Sequence, residues 1–418
     1  MRGFLTISLI LFFNGFNYLY ANPEVDSKKV LQVKQRLKEW VENWRQKEKT
    51  FVGYPVNQEP NLMEFYQWYV DNKLPEISLN NVGNPMATES GLSLNSHEFE
   101  KEVVEYFVPF YGFNKSDYWG FVTDSGTDGN NHGIYFGRKN LQQKSKLEPI
   151  IYVSEEAHYS IKKLADVQNT ELRMIKSNMM GSMDLNDFSK KLETKRPALI
   201  VVALGTTFKG GVDDQKGILK ILKEKKHPAY YIHLDAALFG GFLPFLKEKS
   251  AKHLVNHEEM QFDSIAVSGH KFFGFDNPMG LFITTKNVFD NINPFRVEYL
   301  NQAVPTITCS RSAIASLKFW WKINTLKKDR FETQAEEMIA NTEYLESRLK
   351  NSGFKAWRNN FSNTVFFEKP DQKVVEKYNL ATELSKELGP LAHVVVMQHV
   401  DKPVIDQFIN DMKQPLHN

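Results

Sequence analysis

The sequence contains a single cysteine, Cys309, in 418 residues. One cysteine excludes an intrachain disulfide and any metal site built from a cysteine cluster. We expect Cys309 to be a small buried hydrophobe rather than a catalytic thiol. We also predict that the protein has no metal site.

An excess of charge of either sign is missing too, because 52 basic residues face 50 acidic ones and leave a formal net charge of +2. This balance gives no electrostatic reason to expect nucleic acid or an acidic membrane as the main partner. Internal repeats and low-complexity tracts are also missing. With 42% hydrophobic residues and 31 phenylalanines, the chain is long enough for a large α/β unit with an aromatic core and a smaller companion domain.

Long apolar runs are missing after residue 21, so no later segment is expected to span a bilayer. Before that point, Arg2 precedes an uncharged stretch with an apolar run from Phe4 to Phe13, and the small residue Ala21 ends it. A basic start, a short apolar core and a small residue are typical of a secretory signal. We therefore predict export to the periplasm or the outside of the cell. Because Asn14 and Asn17 interrupt the apolar run, an uncleaved anchor or an ordinary cytoplasmic N-terminus stays an alternative.

The chain organisation follows from the apolar spacing. Helical spacing from Val30 to Trp44 predicts an amphipathic helix between about residues 25 and 49, and residues 51–96, rich in Pro, Asn and Gly, predict an extended arm. A helical pattern at about 312–351 and strand candidates at 364–367 and 393–396 follow the central region. The predicted segments are a signal at 1–21, a helix and arm at 22–96, a large domain at 97–300, and a long helix with a small α+β domain at 301–418.

Between about residues 97 and 290, short apolar strands alternate with helical patterns. This alternation is typical of an α/β fold with a mostly parallel central sheet and helices on both faces. The carboxyl ends of parallel strands meet at one edge, where ligands bind. The strand candidates are 120–122, 150–153, 199–202, 230–234 and 264–267.

Two charged residues follow the last two of these strands. Lys271 comes directly after 264–267, among small residues and phenylalanines, where desolvation lowers the pKa of a lysine and makes its amine reactive toward a carbonyl. Asp235 closes the apolar strand before it, where a carboxylate needs a cationic or proton-donating partner. Taken alone, the lysine is better explained as a solvated turn residue, and the aspartate has an alternative role as the cap of the next helix.

Three further strand ends carry polar residues. Ser125, Gly126 and Thr127 follow 120–122, and a helix beginning near Thr127 would turn backbone N–H groups toward an anion. His158 follows 150–153 and Thr206 follows 199–202. Each has a plain structural explanation by itself. Jointly, the five strand ends offer a phosphate cradle, a flat ring, hydroxyls, a carboxylate and a lysine, which are the parts that pyridoxal phosphate (PLP) requires.

At this point the sequence resembles the group II PLP-dependent amino-acid decarboxylases, which include bacterial histidine decarboxylases and plant serine decarboxylases. The resemblance implies the aspartate-aminotransferase-like fold, PLP fold type I, with a small C-terminal α+β domain. The segments that carry it are NVGNP at 81–85, NSHEFEKEVVEYF at 95–107, WGFVTDSGTDGN at 119–130, HYS at 158–160, GTTFKGGVDD at 205–214, YIHLDAALFG at 231–240, VSGHKFFG at 267–274 and SRS at 310–312.

The resemblance also implies a role for each matching residue. Lys271 would carry PLP as a Schiff base, Asp235 would pair with the pyridine nitrogen, and His158 would stack on the ring and touch the substrate. Ala237 would pack on the other ring face, and Thr206 would lie near the ring hydroxyl. The phosphate would be held by Ser125, Gly126, Thr127, Ser268 and His270.

A homodimer with shared active sites is implied as well, because in this family the N-terminal arm crosses to the partner. Tyr299, or a neighbour up to Thr308, is the candidate for a segment supplied across the interface. Tyr299 therefore joins Lys271, His158 and Asp235 as a candidate catalytic residue.

The sequence departs from the family pattern at three positions. Asp128 stands where Glu is usual, Ala313 stands where Gly is usual, and Asp276 stands where the loop after the lysine usually has Pro. These departures bear on the substrate rather than on the cofactor. A PLP aminotransferase or lyase of the same fold, and a descendant that binds PLP without catalysis, are the alternatives to a decarboxylase.

The substrate prediction depends on the mouth of the site, which we expect the arm at Leu79–Pro85 and the loop at Phe275–Met279 to form. The two ends of that loop would present apolar surface, and Asp276 and Asn277 would accept a hydrogen bond from a ring nitrogen. Such a lining suits an imidazole better than a hydroxymethyl group. We therefore favour decarboxylation of histidine to histamine, with serine to ethanolamine as the alternative.

Overall fold

The computed structural model describes residues 26–87, 91–292, 294–327 and 329–413. The predicted signal at 1–21 lies outside these ranges. No helix within them is long and apolar enough to cross a membrane, and no group of three His, Cys, Asp or Glu residues within them is arranged to hold a metal ion. The chain divides into two compact units at residue 48. The domain boundaries predicted near 96 and 300 both fall inside the second unit and stay predictions.

The strands of the described ranges are β1 (Asn81–Val82), β2 (Trp119–Thr123), β3 (Ile150–Ser154), β4 (Leu172–Ile175), β5 (Ala198–Ala203), β6 (Tyr230–Asp235), β7 (Ser264–Ser268), β8 (Gly280–Thr284), β9 (Arg296–Val297), β10 (Gln302–Ala303), β11 (Ser310–Arg311), β12 (Ala356–Arg358), β13 (Thr364–Glu368), β14 (Ala381–Ser385) and β15 (Gly389–Val395).

The helices of the same ranges are α1 (Ser27–Arg45), α2 (Met63–Asp71), α3 (His97–Phe107), α4 (Gly126–Ser145), α5 (Ser160–Val167), α6 (Leu185–Lys191), α7 (Gln215–Glu224), α8 (Phe239–Phe242), α9 (Lys249–His253), α10 (His257–Met260), α11 (Lys286–Asn291), α12 (Ala313–Thr325), α13 (Arg330–Asn351), α14 (Gln372–Lys377) and α15 (Lys402–Lys413).

The first unit contains the predicted amphipathic helix, α1. Asp26 caps its N-terminus by accepting hydrogen bonds from the backbone N–H groups of Lys28 and Lys29, at 3.0 and 3.2 Å. None of its residues is buried, and Trp40 is 64% exposed. The predicted helix is confirmed, and its apolar side chains are exposed within one chain.

The second unit is built on a seven-stranded sheet in the order β2-β8-β7-β6-β5-β3-β4. All strands run parallel except β8, which pairs antiparallel with both β2 and β7. The buried apolar strands predicted from the sequence are all present in this sheet. Two of its strands were not predicted. β4 is short and carries the half-buried Arg173, and β8 begins with a glycine directly after a loop.

A four-stranded antiparallel sheet, β12-β13-β15-β14, forms the C-terminal part and contains both strands predicted there. The single long helix predicted at 312–351 is wrong, because Leu326 is extended and separates α12 from α13. α12 packs on α3, whereas α13 packs on β12, β13 and α15. One straight helix cannot cover both surfaces.

Two smaller expectations are also corrected. The arm is not extended throughout, because it includes helix α2, whose Phe65 is buried among Trp321 and neighbouring aromatic rings. Cys309 is exposed rather than buried, because it lies in the loop that leads into β11.

Two of the segments that carry the family resemblance, 95–107 and 310–312, are joined by a buried ion pair. The Glu100 carboxylate of α3 contacts the Arg311 guanidinium and accepts hydrogen bonds from the Val122 N–H at 2.9 Å and the Asn81 amide at 2.8 Å. Glu100 is fully buried. Because a buried charge needs such partners, this cluster joins the arm, α3, β2 and β11.

Helix α4 lies unusually close to the sheet. Four glycines share one face of the helix at helical spacing, and each faces a side chain of the sheet. A Cβ at Gly129 would lie 2.8 Å from Ala266 Cβ, and one at Gly137 would lie 2.7 Å from the Tyr231 ring. A Cβ at Gly133 would overlap the His233 ring. Glycine is thus required where α4 contacts β6 and β7.

We predict that Gly133→Ala destabilises the protein by about 1–3 kcal/mol, because the added methyl forces α4 away from His233 and outweighs the gain in helix propensity. Urea unfolding followed by circular dichroism measures the change. Gln143→Ala, at an exposed position of the same helix, is the control and should stay within about 0.5 kcal/mol of wild type. Equal stability of the two variants would contradict the close packing.

Candidate active site

A cavity of about 290 Å³ opens at the carboxyl ends of the central strands. The sequence-predicted residues that line it are Ser125, Gly126, Thr127, His158, Thr206, Asp235, Ala237, Ser268, His270 and Lys271. Tyr299 does not line it, lies in the turn Glu298–Leu300 and is 86% exposed. The structure therefore brings together every predicted cofactor-binding residue and leaves one candidate catalytic residue outside its own chain's cavity.

One wall of the cavity is the N-terminus of α4. Ser125 is the N-cap, and its Oγ accepts a hydrogen bond from the Asp128 N–H at 3.1 Å. The N–H groups of Gly126 and Thr127 have no partner inside the helix, as at any helix N-terminus. A Cβ at Gly126 would overlap Ser268 Oγ, so the space between the helix and β7 exists because residue 126 is glycine. Such a cradle suits an anion.

Lys271 and Asp235 face the cavity from neighbouring strands. Burial lowers the pKa of the Lys271 amine, and the Asp235 carboxylate partly opposes this shift. Asp235 ends β6, is only 6% exposed, and accepts a hydrogen bond from the Ala237 N–H at 3.3 Å. The lysine therefore has an amine that loses its proton more easily than one in water, beside a carboxylate that remains available to a cationic ligand.

His158 has a defined tautomer. Its Nδ1 accepts a hydrogen bond from the Ser160 N–H at 3.3 Å and lies 2.7 Å from Ser160 Oγ. Burial lowers the pKa of His158, Asp235 raises it and Lys271 lowers it further. The neutral ring consequently carries its proton on Nε2, the nitrogen that Ser160 leaves available to a ligand.

Thr206 is buried and held by a tight loop. Its Oγ accepts a hydrogen bond from the Gly211 N–H at 2.8 Å, which leaves its own proton free to be donated. Gly205, with φ +92°, makes the turn into this loop, and a Cβ there would overlap Phe239. The glycine before Thr206 is therefore what brings the hydroxyl to the cavity.

His270 is fixed by the loop that follows the lysine. Its Nδ1 lies 3.3 Å from the Met279 carbonyl, to which it donates, and burial together with Lys271 lowers its pKa. Nε2 is left for a ligand. An anion bound at Nε2 would favour protonation of both ring nitrogens, because a negative charge stabilises the cationic imidazolium.

Asn130 lines the cavity and was missed from the sequence. His233 is fully buried, which lowers its pKa to about 3, so its ring is neutral. The ring accepts a hydrogen bond from the Ser264 hydroxyl at 2.8 Å and donates Nε2–H to the Asn130 Oδ1 at 3.0 Å. Asn130 stands three residues after Thr127, on the same helix face, and this spacing was the available signal.

Of the loop predicted to form the mouth of the site, Pro278 lines the cavity, whereas the roles predicted for its other residues are wrong. Phe275 and Met279 are buried in the core, 3% and 0% exposed. Asp276 and Asn277 both accept hydrogen bonds from the Lys318 ammonium, at 2.8 Å each, so neither stands free for a ligand. The arm at 79–85 is also absent from the lining, because β1 pairs with β11.

The remaining wall comes from residues that were not among the predicted site residues, although Pro278 belongs to the loop expected at the mouth and Tyr159 to the HYS motif. It includes apolar and aromatic residues contributed by the arm, the start of α5, the loop after the lysine and the small sheet: Pro55, Tyr159, Pro278 and Val395. Leu238 and Thr207, which follow β6 and β5, line the cavity as well.

These residues fit PLP. The α4 N-terminus with Ser268 and His270 offers donors for a phosphate, Lys271 offers an amine for the aldehyde, and Asp235 offers a carboxylate for the ring nitrogen. The cradle at Gly126 tests whether a phosphate fits, because any side chain at position 126 would fill the space that the phosphate needs.

Comparisons with known proteins agree with this fit. The pyridoxal-dependent decarboxylase conserved domain matches residues 137–367. The histidine decarboxylase of Solanum lycopersicum is 33% identical over 383 residues, 90% of this chain and 88% of the relative. Serine decarboxylase 1 of Oryza sativa subsp. japonica is 35% identical over 376 residues, 89% and 73% of the two chains. The histidine decarboxylase of Morganella morganii is 32% identical over 369 residues, 86% and 91%.

Solved structures show the same fold. The L-methionine decarboxylase from Streptomyces sp. 590 superposes with a TM-score of 0.75 at 21% identity, covering 94% of this chain and 96% of that one. The sphingosine-1-phosphate lyase of Burkholderia pseudomallei K96243 superposes with a TM-score of 0.73 at 14% identity, covering 97% and 94%. The expected aspartate-aminotransferase-like architecture is confirmed.

We predict that Lys271→Ala abolishes the absorption near ~420 nm of the PLP-loaded protein, together with any chromophore that borohydride reduces, because no other amine among the described residues lines the cavity. Asp235→Asn is the matched variant. It keeps the lysine and should keep the absorption, while turnover falls at least ~100-fold because an amide does not hold the ring proton. A reducible chromophore in the Lys271→Ala protein would refute the assignment.

Proposed function

The chain belongs to the pyridoxal-dependent decarboxylase family, and from this premise we propose that it converts L-histidine to histamine and carbon dioxide. It is a PLP-dependent amino-acid decarboxylase, as its relatives are. The identity of the amino acid is the proposal.

The observation that carries the choice of histidine is the apolar character of the wall outside the sheet. Pro55, Tyr159, Pro278 and Val395 form it together with Leu238 and the uncharged Thr207, so it offers no charged group. A hydroxymethyl side chain gains little from such a wall, whereas a planar imidazole can stack on the tyrosine ring. Relatives from a plant and from bacteria are named histidine decarboxylases, which is consistent with this choice.

Bound PLP supplies an aldehyde that condenses with amines and a conjugated ring that accepts the electron pair of the broken carbon–carboxyl bond. Lys271 would hold the cofactor between turnovers, and the lowered pKa of its amine would favour its reaction with the aldehyde. Asp235 would hold the proton of the ring nitrogen. His158 would lie against the ring with its Nε2–H edge toward the substrate. The walls orient the substrate and exclude water.

Serine is the second candidate, because three rice relatives at 33–35% identity are named serine decarboxylases. Their similarity extends over 86–90% of this chain, as far as that of the histidine enzymes. The apolar chemistry of the wall favours histidine. The two candidate substrates are distinguished by their products, histamine and ethanolamine.

We predict that the PLP-loaded enzyme releases histamine from histidine faster than ethanolamine from serine, as measured by chromatography of the amines. Tyr159→Ala should lower kcat/KM for histidine about 2- to 10-fold, because an aromatic contact contributes about 0.5–1.5 kcal/mol. Tyr159→Phe keeps the ring and is the control. Faster formation of ethanolamine would overturn the choice of histidine and leave the decarboxylase family in place.

We also propose a homodimer with shared active sites. The apolar side chains of α1 are exposed within one chain, including Val33 at 56% and Trp40 at 64%, and an amphipathic helix needs a surface to cover such a face. Tyr299 is exposed as well and lies outside its own chain's cavity. Both observations support a partner that supplies the missing contacts.

Light scattering should accordingly give twice the 48.4 kDa of one chain. Mixing Lys271→Ala chains with Tyr299→Phe chains should restore about a quarter of the wild-type activity, because random pairing makes half of the dimers hybrids with one intact site each. A monomer that turns over substrate would contradict the dimer. A dimer without restored activity would remove Tyr299 from the site.

A further inference from the structure

The loop that follows the catalytic lysine, residues 272–279, is closed at its base. The Gly269 N–H donates to the Met279 carbonyl at 2.7 Å, and His270 Nδ1 donates to the same oxygen at 3.3 Å. Lys271 therefore stands at one end of the loop and Pro278, a residue of the cavity wall, stands at the other. A movement of this loop relative to its base changes the shape of the cavity.

Lys318 of α12 holds the tip of the loop. Its ammonium donates to Asp276 Oδ1 and Asn277 Oδ1 at 2.8 Å each, and to the Tyr66 hydroxyl at 2.5 Å. The Tyr66 hydroxyl in turn donates to the other oxygen of Asp276 in a short contact. We name these four residues the tip clamp. Lys318 has used all three of its donors in the clamp.

A second lysine of α12 holds the same loop by its backbone. Lys322, one helical turn after Lys318, donates to the carbonyls of Phe273 at 2.5 Å and Gly274 at 3.2 Å, and to the Pro60 carbonyl of the arm at 2.9 Å. Helix α12 and the arm therefore fix both the backbone and the side chains of the loop. This loop is not free to adapt to whichever ligand arrives.

Two of the clamp residues are charged, and they differ in exposure. The Lys318 side chain is only 6% exposed, whereas the Asp276 side chain is 30% exposed. Burial raises the pKa of Asp276, but its bonds to Lys318 and Tyr66 outweigh that effect and hold the pKa below its usual range. The carboxylate is thus ionised and fully engaged. An ion pair with several hydrogen bonds, such as that of Lys318 and Asp276, restricts the loop tip to a single geometry better than an apolar contact does.

We propose that the tip clamp is a specificity-determining device, which sets the position of Pro278 and thereby the size of the amino-acid side chain that the cavity accepts. The proposal rests on the proposed function, since it concerns the substrate of the same site. Asp276 is the anionic partner of the ion pair and stands two residues before Pro278 in the same loop. The substrate wall of this chain is therefore fixed by its own ion pair.

The test uses ligand binding, so that it does not depend on turnover. The ratio of the dissociation constants of L-histidine methyl ester and L-serine methyl ester is measured on the PLP-loaded enzyme from the change in its absorption. Lys318→Met keeps the length of the side chain and removes its donors, and it should change this ratio ~10-fold or more, within the ~10- to 200-fold range of size selection. Absorption of the bound cofactor before ligand addition should stay as in wild type.

Lys355→Met is the matched control, because Lys355 forms an exposed ion pair with Glu368 at 2.9 Å on the small sheet. It should leave the ratio unchanged. The reversed pair, Asp276→Lys with Lys318→Asp, should bring the ratio back toward wild type. A merely structural clamp would lower the melting temperature and leave the ratio within ~2-fold, and that result would overturn the proposal.

Tyr66→Phe covers the case in which Lys318→Met does not fold. It removes one hydroxyl from the clamp and should shift the ratio in the same direction by a smaller factor, while an unchanged ratio counts against the clamp. If no amino acid yields an amine, the proposed function fails. The ester ratio then still decides the role of the clamp.

Discussion

The close contact of α4 with β6 and β7 determines where the other parts of the site lie. Four glycines on one helix face allow it, and at Gly133 and Gly126 any side chain would overlap His233 or Ser268. Since a packed interior does not yield to an added methyl group, the helix N-terminus is fixed against the end of β7. The anion cradle, the Asn130 amide and the neighbouring strand ends take their positions from this contact.

Electrostatics at the strand ends depends on that packing. Lys271 and His158 both have lowered pKa values because burial penalises their charged forms, and Asp235 opposes the shift in both cases. One carboxylate thereby acts on the nucleophilic amine and on the ring that would cover the cofactor. Asp235 ends β6, while Lys271 and His158 follow β7 and β3, so their mutual influence exists only because parallel strands end at the same edge.

The loop at 272–279 links the chemistry of the site to its selectivity. Its base carries Lys271 and its end contributes Pro278 to the wall, while Lys318 and Lys322 of α12 hold the part between them. Candidate cofactor-binding residues lie at the base of this loop, whereas the clamp holds its tip. An enzyme built in this way can change its substrate without disturbing the lysine that carries the cofactor.

The sequence by itself determined the buried parallel strands and the polar residues after them, because apolar runs and strand-end polar groups are local patterns that a fold of this class places at one edge. It did not determine that Phe275 would turn into the core or that the helical stretch would break at Leu326. It also did not determine the roles of Asn130 and Tyr159. Those depend on contacts between segments far apart in the chain. Only the tertiary structure decided them, since a side chain turns toward the core or the cavity according to the partners that packing brings to it.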